Sequence, residues 1–330
     1  MRTDWSKRKR LEAAIAGEPA DRPPVALWRH WPGDDQDAAA LAQAHLQWQW
    51  EYDWDLIKVS PASSFCLVDW GVTDRWAGHP EGTREWTGRA IQDPADWERL
   101  PRLDPRQGML GVQLEALRLV GEGLGDSVPF LATIFSPLAQ AKNLAGGTRM
   151  ISQMRSQPEA FKQGMATITA VTLDYLEAAK KTGISGIYYA IQHAQYELLS
   201  PTEYEQWGRP YDLQILEAAG DLWLNMVHLH GADVFFEQTA DYPVQITNWH
   251  DRECGVPLSQ GLTCLPGAVS GGLSRETVQL ADPAAIQMEI SDALEQTGGQ
   301  RLLLSTGCVI MTNSPQQNIR AVRAAVEPRH

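Results

Sequence analysis

The order of its elements constrains this chain most: short apolar or β-branched runs alternate with longer helical patterns from one end to the other. The strand candidates are residues 23–31 (PPVALWRHW), 56–61 (LIKVSP), 128–135 (VPFLATIF), 183–192 (GISGIYYAIQ), 222–231 (LWLNMVHLHG), 244–250 (VQITNWH), 267–274 (GAVSGGLS) and 301–310 (RLLLSTGCVI). Between them lie helical stretches such as LGVQLEALRLVGEGL, AFKQGMATITAVTLDYLEAAKKTG and PAAIQMEISDALEQTGG. Strands separated by helices pair in parallel, because a parallel crossover is long. Eight such strands in 330 residues predict a (β/α)8 TIM barrel of the α/β class. The expected organisation is one domain over residues 1–330, with an N-terminal helical extension and a Trp-rich loop region around 62–100. An open doubly wound sheet is the competitor. No GxGxxG follows the first strand and no P-loop pattern occurs, so that arrangement loses ground.

Helix boundaries support the alternation. Ser200-Pro201-Thr202-Glu203 and Ser314-Pro315-Gln316-Gln317 both read as capping boxes, with Ser at the cap and Glu or Gln three residues on. Gly183 follows the basic turn Lys180-Lys181-Thr182 and reads as a helix stop.

A formal net charge of -13 opposes binding to a phosphate backbone, so nucleic acid is not an expected partner. No apolar run approaches the length of a membrane span, and the basic start MRTDWSKRKRLEAAIAGE lacks the apolar centre of a secretion signal. A cytoplasmic protein without membrane contact is the expectation. The cysteines Cys66, Cys254, Cys264 and Cys308 form no CxxC pair and read as free thiols, one of them open to chemical use. Nine of the 13 tryptophans fall between Trp28 and Trp97. They either fill core gaps or line a site for a large flat ligand.

In a barrel, function sits where the strands end. Those ends present Arg29, His30 and Trp31; Lys58 and Ser60; Ser136; Tyr188, Tyr189, Gln192 and His193; His228 and His230; Trp249 and His250; and Cys308. Five of the eight histidines are in that set, and packing gives histidine no reason to prefer strand ends. Residues two apart on a strand share a face, so His228 and His230 can offer two imidazoles to one metal. Cys308 at the end of the last strand adds a thiolate, and two histidines, one thiolate and an open position make a catalytic zinc arrangement. An HxH pair alone is weak, since it arises by chance. Of the remaining mouth residues, Tyr188 or Tyr189 can donate a hydrogen bond to substrate, His193 and Gln192 can contact it, and Arg29 can bind an anion. Glu197 and Glu237 are nearby carboxylates, and Glu237 is a candidate to orient or complete a zinc shell.

RKRLEAAIAGEPADRPPV, GISGIYYAIQ with LLSPTEYEQWGRPY, VHLHG, GGLSRETVQLADPAAIQMEI and STGCVIMTNSPQQNIRAVRAAV together resemble the uroporphyrinogen decarboxylase superfamily, in order and over nearly the whole chain. The resemblance implies a (β/α)8 barrel with its pocket at the C-terminal mouth. True decarboxylases of that superfamily hold acidic tetrapyrrole side chains with two arginines four apart, and add an aspartate, a tyrosine and a late histidine. Here only Arg29 matches; Gly33, Ser60, Lys142 and Cys308 stand at the other positions. The second branch, the corrinoid-linked methyltransferases similar to methylcobalamin:coenzyme M enzymes, carries HxCG and a late GC that bind zinc. The chain supplies His228, His230 in place of the cysteine, Gly231, and Cys308.

The resemblance therefore implies Zn²⁺ held by His228, His230 and Cys308; Tyr188, His193 and Arg29 are the catalytic candidates by their place at the mouth. It also implies cobalamin as methyl carrier on a separate corrinoid protein, and a small-molecule methyl donor or acceptor. A metal-free carboxy-lyase and a non-catalytic tetrapyrrole or cobalamin binder are the competing readings.

Overall fold

The computed structural model describes residues 5–327; His330 lies outside them. Its strands are β1 (Ile57–Lys58), β2 (Thr73–Arg75), β3 (Glu85–Gly88), β4 (Phe130–Phe135), β5 (Gly186–Ile191), β6 (Met226–Leu229), β7 (Ile246–Trp249), β8 (Ala268–Leu273) and β9 (Leu302–Thr306). Seven of them form one parallel sheet in the order β1-β4-β5-β6-β7-β8-β9, and β2 and β3 make a separate antiparallel hairpin. The segment around Val25 fills the gap between β9 and β1. It bridges Leu304 in parallel, Ala26 N–H donates to the Leu304 carbonyl, and Asp55 N–H donates to the Val25 carbonyl. The sheet curls into a (β/α)8-type barrel, as the alternation predicts.

The first expected strand, 23–31, shrinks to that single bridge. Pro23 and Pro24 have no N–H to give a ladder, so pairing begins only at Val25. The other strands are also shorter than their apolar runs. β6 stops at Leu229, leaving His230 as the first residue of the loop. β4, β5, β8 and β9 are buried at every position, because parallel strands are covered on both faces.

The long helix Pro158–Lys180 starts with Pro at its first position and buries Phe161, Met165, Ile168, Thr172, Tyr175 and Ala179. That spacing keeps one stripe against the barrel. Gly183, at φ 86, lies just past its end. The Ser200 capping box forms, with the Ser200 hydroxyl accepting from Glu203 N–H and the Glu203 carboxylate accepting from Ser200 N–H. The Ser314 box does not. Pro315 is itself extended (ψ 134) and caps the helix Gln316–Ala325, so Ser314 falls one residue outside, its buried hydroxyl unpaired.

Most of the clustered tryptophans are packing. Trp28, Trp48, Trp54, Trp70 and Trp97 are buried, and Trp48 meets Trp31, Tyr52 and Trp54 beneath the helix Ala38–Tyr52. Trp50 and Trp76 remain exposed. The β2–β3 hairpin lies over the mouth, where Thr312 donates through its N–H and hydroxyl to the Pro80 carbonyl. Among the described residues no helix is long and apolar enough to cross a membrane.

Candidate metal centre

Parallel register sets the inner layer of the site. Ala190, His228, Asn248 and Ser270 stand side by side across β5, β6, β7 and β8. Asn248 fixes the chemistry of its neighbour. Its Nδ2 donates to the carbonyls of Ser270 (3.0 Å) and Thr306 (3.1 Å), which can only accept, so its Oδ1 must face the other way. That Oδ1 lies 2.7 Å from His228 Nδ1, which therefore carries the proton. His228 Nε2 is left as a buried lone pair with no hydrogen-bond partner. The Tyr188 hydroxyl donates to the same Oδ1 at 3.3 Å, and the Tyr188 ring stacks on His228 at 5.3 Å.

His250, one residue past β7, repeats the arrangement. Its Nδ1 faces the Glu253 carboxylate at 3.0 Å, and its buried Nε2 also lacks a partner. An imidazole held through one nitrogen by a carboxylate or amide, with the other nitrogen bare, is the usual preparation of a histidine for a metal. His230 brings Nδ1 to 3.8 Å from Cys308 Sγ. One ligand atom from each of His228, His230, His250 and Cys308 lies within 4.8 Å of every other.

Two glycines make this convergence possible. Gly231 adopts φ 99, and a Cβ there would stand 2.5 Å from the Gln195 amide, which donates to the His230 carbonyl at that same distance. At Gly307 a Cβ would meet His250 Cα at 2.7 Å and Trp249 O at 2.8 Å, so only glycine lets the Cys308 loop close onto the end of β7.

The charges fit a cation. Burial alone would push the Cys308 thiol up, but the imidazoles of His228, His230 and His250 outweigh it and hold the thiol well below its usual range. Burial pushes His228 down; for His250 burial also acts downward, yet Cys308 and Glu253 raise it overall. A thiolate and three imidazoles, two of them with bare buried nitrogens, are a donor set for a borderline-soft divalent ion such as Zn²⁺.

His228, His230 and Cys308 line a cavity of about 120 Å³ that also meets Lys58, Tyr188 and Gln192. Lys58 is only 6% exposed; burial pushes its ammonium down to about 8, with Cys308 acting in the opposite direction. His30, on the same wall, donates to the Pro61 carbonyl through Nδ1 and is pushed down to about 4, mainly by burial.

Other expected mouth residues are employed elsewhere. Tyr189 points outward and donates to Asp212 at 2.6 Å, which makes Tyr188 the inward tyrosine of the pair. Trp249 packs on Phe236, and Ser136 caps the helix Pro137–Ala145. Arg29 lies with its guanidinium over Trp31 at 4.6 Å and does not line the cavity. His193 is buried and pushed down to about 3, first by burial, then by Lys142 and His230; it does not line the cavity either. Glu237 is exposed on the short helix Phe236–Thr239, so the fourth candidate ligand is His250 and not this carboxylate. Asn248 and Glu253 were not legible as site residues. Only their place, beside His228 in register and three residues after His250, gives them away.

Known proteins match the chain over most of its length. Residues 35–328 match the family model described as uroporphyrinogen decarboxylase (URO-D). The chain is 21% identical to a methylcobamide:CoM methyltransferase of Methanosarcina acetivorans, covering 69% of this chain and 71% of that one. It is 25% identical to a uroporphyrinogen decarboxylase of Syntrophotalea carbinolica, covering 69% and 67%. Among solved structures, a methyltransferase from Methanosarcina mazei superposes with a TM-score of 0.86 at 20% identity, over 98% of both chains. A B12-independent methionine synthase from Shewanella gives 0.58 at 13% identity, over 92% and 91%.

Proposed function

The chain belongs to the uroporphyrinogen decarboxylase family, and from that premise we propose that it is a zinc-dependent methyltransferase, moving a methyl group between a small substrate and a corrinoid. The observation that carries the reading is the set of bare, buried nitrogens of His228 and His250 beside the Cys308 sulfur. A polar atom buried without a partner is costly, and two such nitrogens facing a sulfur are satisfied together by one cation. His228, His230 and Cys308 would hold the zinc on the cavity side, with His250 a fourth ligand whose place a substrate nucleophile would take. Bound there, zinc supplies Lewis acidity that lowers the pKa of a substrate nucleophile.

The rest of the chain positions and excludes. Asn248 keeps His228 in one tautomer, and Tyr188 packs on that ring and donates to the same amide, which makes it a positioning residue. Arg29 and His193, away from the cavity wall, have no step in this reading. The hairpin, reaching the cavity with Glu81 and Thr83, keeps it small. The 21% identity to a methylcobamide:CoM methyltransferase favours cobalamin presented at the mouth by a separate corrinoid protein. Ser60, at the decarboxylases' aspartate position, disfavours tetrapyrrole decarboxylation.

Metal analysis of protein purified without added metal tests this. One equivalent of zinc in the wild type, lost in His230→Ala and Cys308→Ser, is the expected result. Zinc content unchanged by His230→Ala overturns it, and turnover that survives complete chelation favours a metal-free lyase instead.

A further inference from the structure

Among the described residues, the Arg275 side chain is engaged at one end and unsatisfied at the other. Its Nη1 donates to the Glu81 carboxylate at 2.6 Å, while its buried Nε has no hydrogen-bond partner. That Nε faces Glu253 Oε1 across 3.8 Å, too far for a bond. A buried N–H left unpaired is costly, so a short move that closes the gap is favoured. Glu253 spends its other oxygen on the candidate metal centre, where Oε2 lies 3.0 Å from His250 Nδ1. The three residues sit on separate elements. Glu81 is in the loop of the β2–β3 hairpin and lines the cavity. Arg275 opens the helix Arg275–Leu280 after β8, and Glu253 lies in the turn after β7.

The surrounding contacts decide which of these parts can move. The turn after β7 is stitched to the end of β8. Gly272 N–H donates to the Asp251 carboxylate at 3.1 Å, and Arg252 donates to the Gly272 carbonyl at 2.7 Å. The hairpin has no such anchorage. Of residues 73–88 only Gly82 is buried. Its loop is tied down by polar contacts, from Thr312 to the Pro80 carbonyl, from Arg84 to Asp35 at 3.4 Å and from Arg275 to Glu81. Segments with little apolar burial open at low cost. Arg275 therefore stands between a fixed carboxylate, Glu253, and one that can lift away, Glu81. It does not satisfy both at once: with Nη1 on Glu81, Nε stops short of Glu253.

We infer that Arg275 is a positioning residue that couples the hairpin to His250. Seated on Glu81, it leaves Glu253 to His250; when the hairpin lifts, it turns to Glu253 and loosens His250. A carboxylate on the far nitrogen makes an imidazole a stronger metal ligand. A guanidinium drawn onto that carboxylate takes up its charge and weakens the effect. His250 is then held firmly while the mouth is closed and is displaceable while it is open, when a nucleophile can enter. The coupling rests on the metal reading above; the latch between Arg275 and Glu81 does not.

The test loads full-length protein with cobalt(II), whose visible bands report its ligands, and titrates in imidazole to compete with His250. Glu81→Gln releases Arg275 to Glu253 and should tighten imidazole binding about threefold to tenfold. Arg275→Ala loosens the hairpin equally but leaves Glu253 to His250, so imidazole affinity stays within about twofold of wild type. The double variant should also stay near wild type, because Glu81→Gln acts only through Arg275. A merely structural role would move all three variants alike. Deuterium exchange of residues 73–88 in metal-free protein follows the latch alone and should quicken in both single variants. If cobalt binds but both single variants tighten imidazole alike, or neither does, the coupling is overturned and the metal reading stands. Exchange unchanged in both variants overturns it as well. No cobalt uptake by wild type removes the metal reading, and the coupling with it.

Discussion

Replacing Asn248 with alanine isolates the role of the tautomer lock. The side chain accepts from His228 Nδ1 at 2.7 Å and from the Tyr188 hydroxyl at 3.3 Å, and donates to two backbone carbonyls. Without it the His228 proton is free to move to Nε2, the atom that would meet the proposed metal. Loss of such a supporting contact lowers metal affinity by about 10–100-fold, or about 1.4–2.7 kcal/mol. The carbonyls of Ser270 and Thr306 also lose a donor, and a buried unpaired group costs about 1–3 kcal/mol. A water drawn into the polar gap recovers part of that, so a net stability loss of about 2 kcal/mol is expected. Zinc competition against a chromophoric chelator measures the first quantity, and urea denaturation of zinc-free protein the second. Tyr188→Phe, which removes only the longer bond, should change zinc affinity by less than about threefold. Asn248→Ala with zinc affinity within about twofold of wild type would falsify the tautomer argument.

Two further perturbations probe the scaffold. Gly307→Ala forces a methyl against His250 Cα and Trp249 O, backbone atoms that cannot swing aside. It should cost about 1–3 kcal/mol and weaken zinc binding together; a variant with wild-type denaturation and zinc affinity shows that the close approach is not needed. Glu203 is pushed down to about 2, first by its bond to Arg155 and then by Ser200 N–H. Its folded-state pKa lies below its unfolded one, so its contribution is present above the ordinary glutamate range and fades as pH falls towards about 2. Glu203→Ala should therefore cost about 1 kcal/mol at neutral pH through the lost cap, with the gap between variant and wild type narrowing below about pH 4.5. A gap that widens on acidification contradicts this.

The barrel was readable because its signal is periodic and repeated. Runs such as FLATIF and GIYYAI are apolar on both faces and separated by helices capped at Ser200 or stopped near Gly183, and nothing but parallel pairing accommodates them. The first stave was overread because apolar character at 23–31 does not supply the N–H groups that Pro23 and Pro24 lack. His228, His230 and Cys308 were legible from type and position at strand ends. His250 was visible as a mouth residue but not as a ligand, since its approach depends on Gly307 letting two loops nearly touch. Asn248 could not be found at all. Its role arises from register with His228 across two strands about twenty residues apart, and an asparagine in a strand has no sequence signature of its own.

The donor set decides the charge of the proposed metal site. One thiolate and three imidazoles around a dication would leave one positive charge, where two thiolates would leave none. Glu253, attached to His250 and partly in solvent, offsets this only through the ring, and Glu81 is occupied by Arg275. Lys58 adds a second positive charge across the same small cavity. A more positive zinc lowers the pKa of a bound nucleophile but also makes that nucleophile weaker.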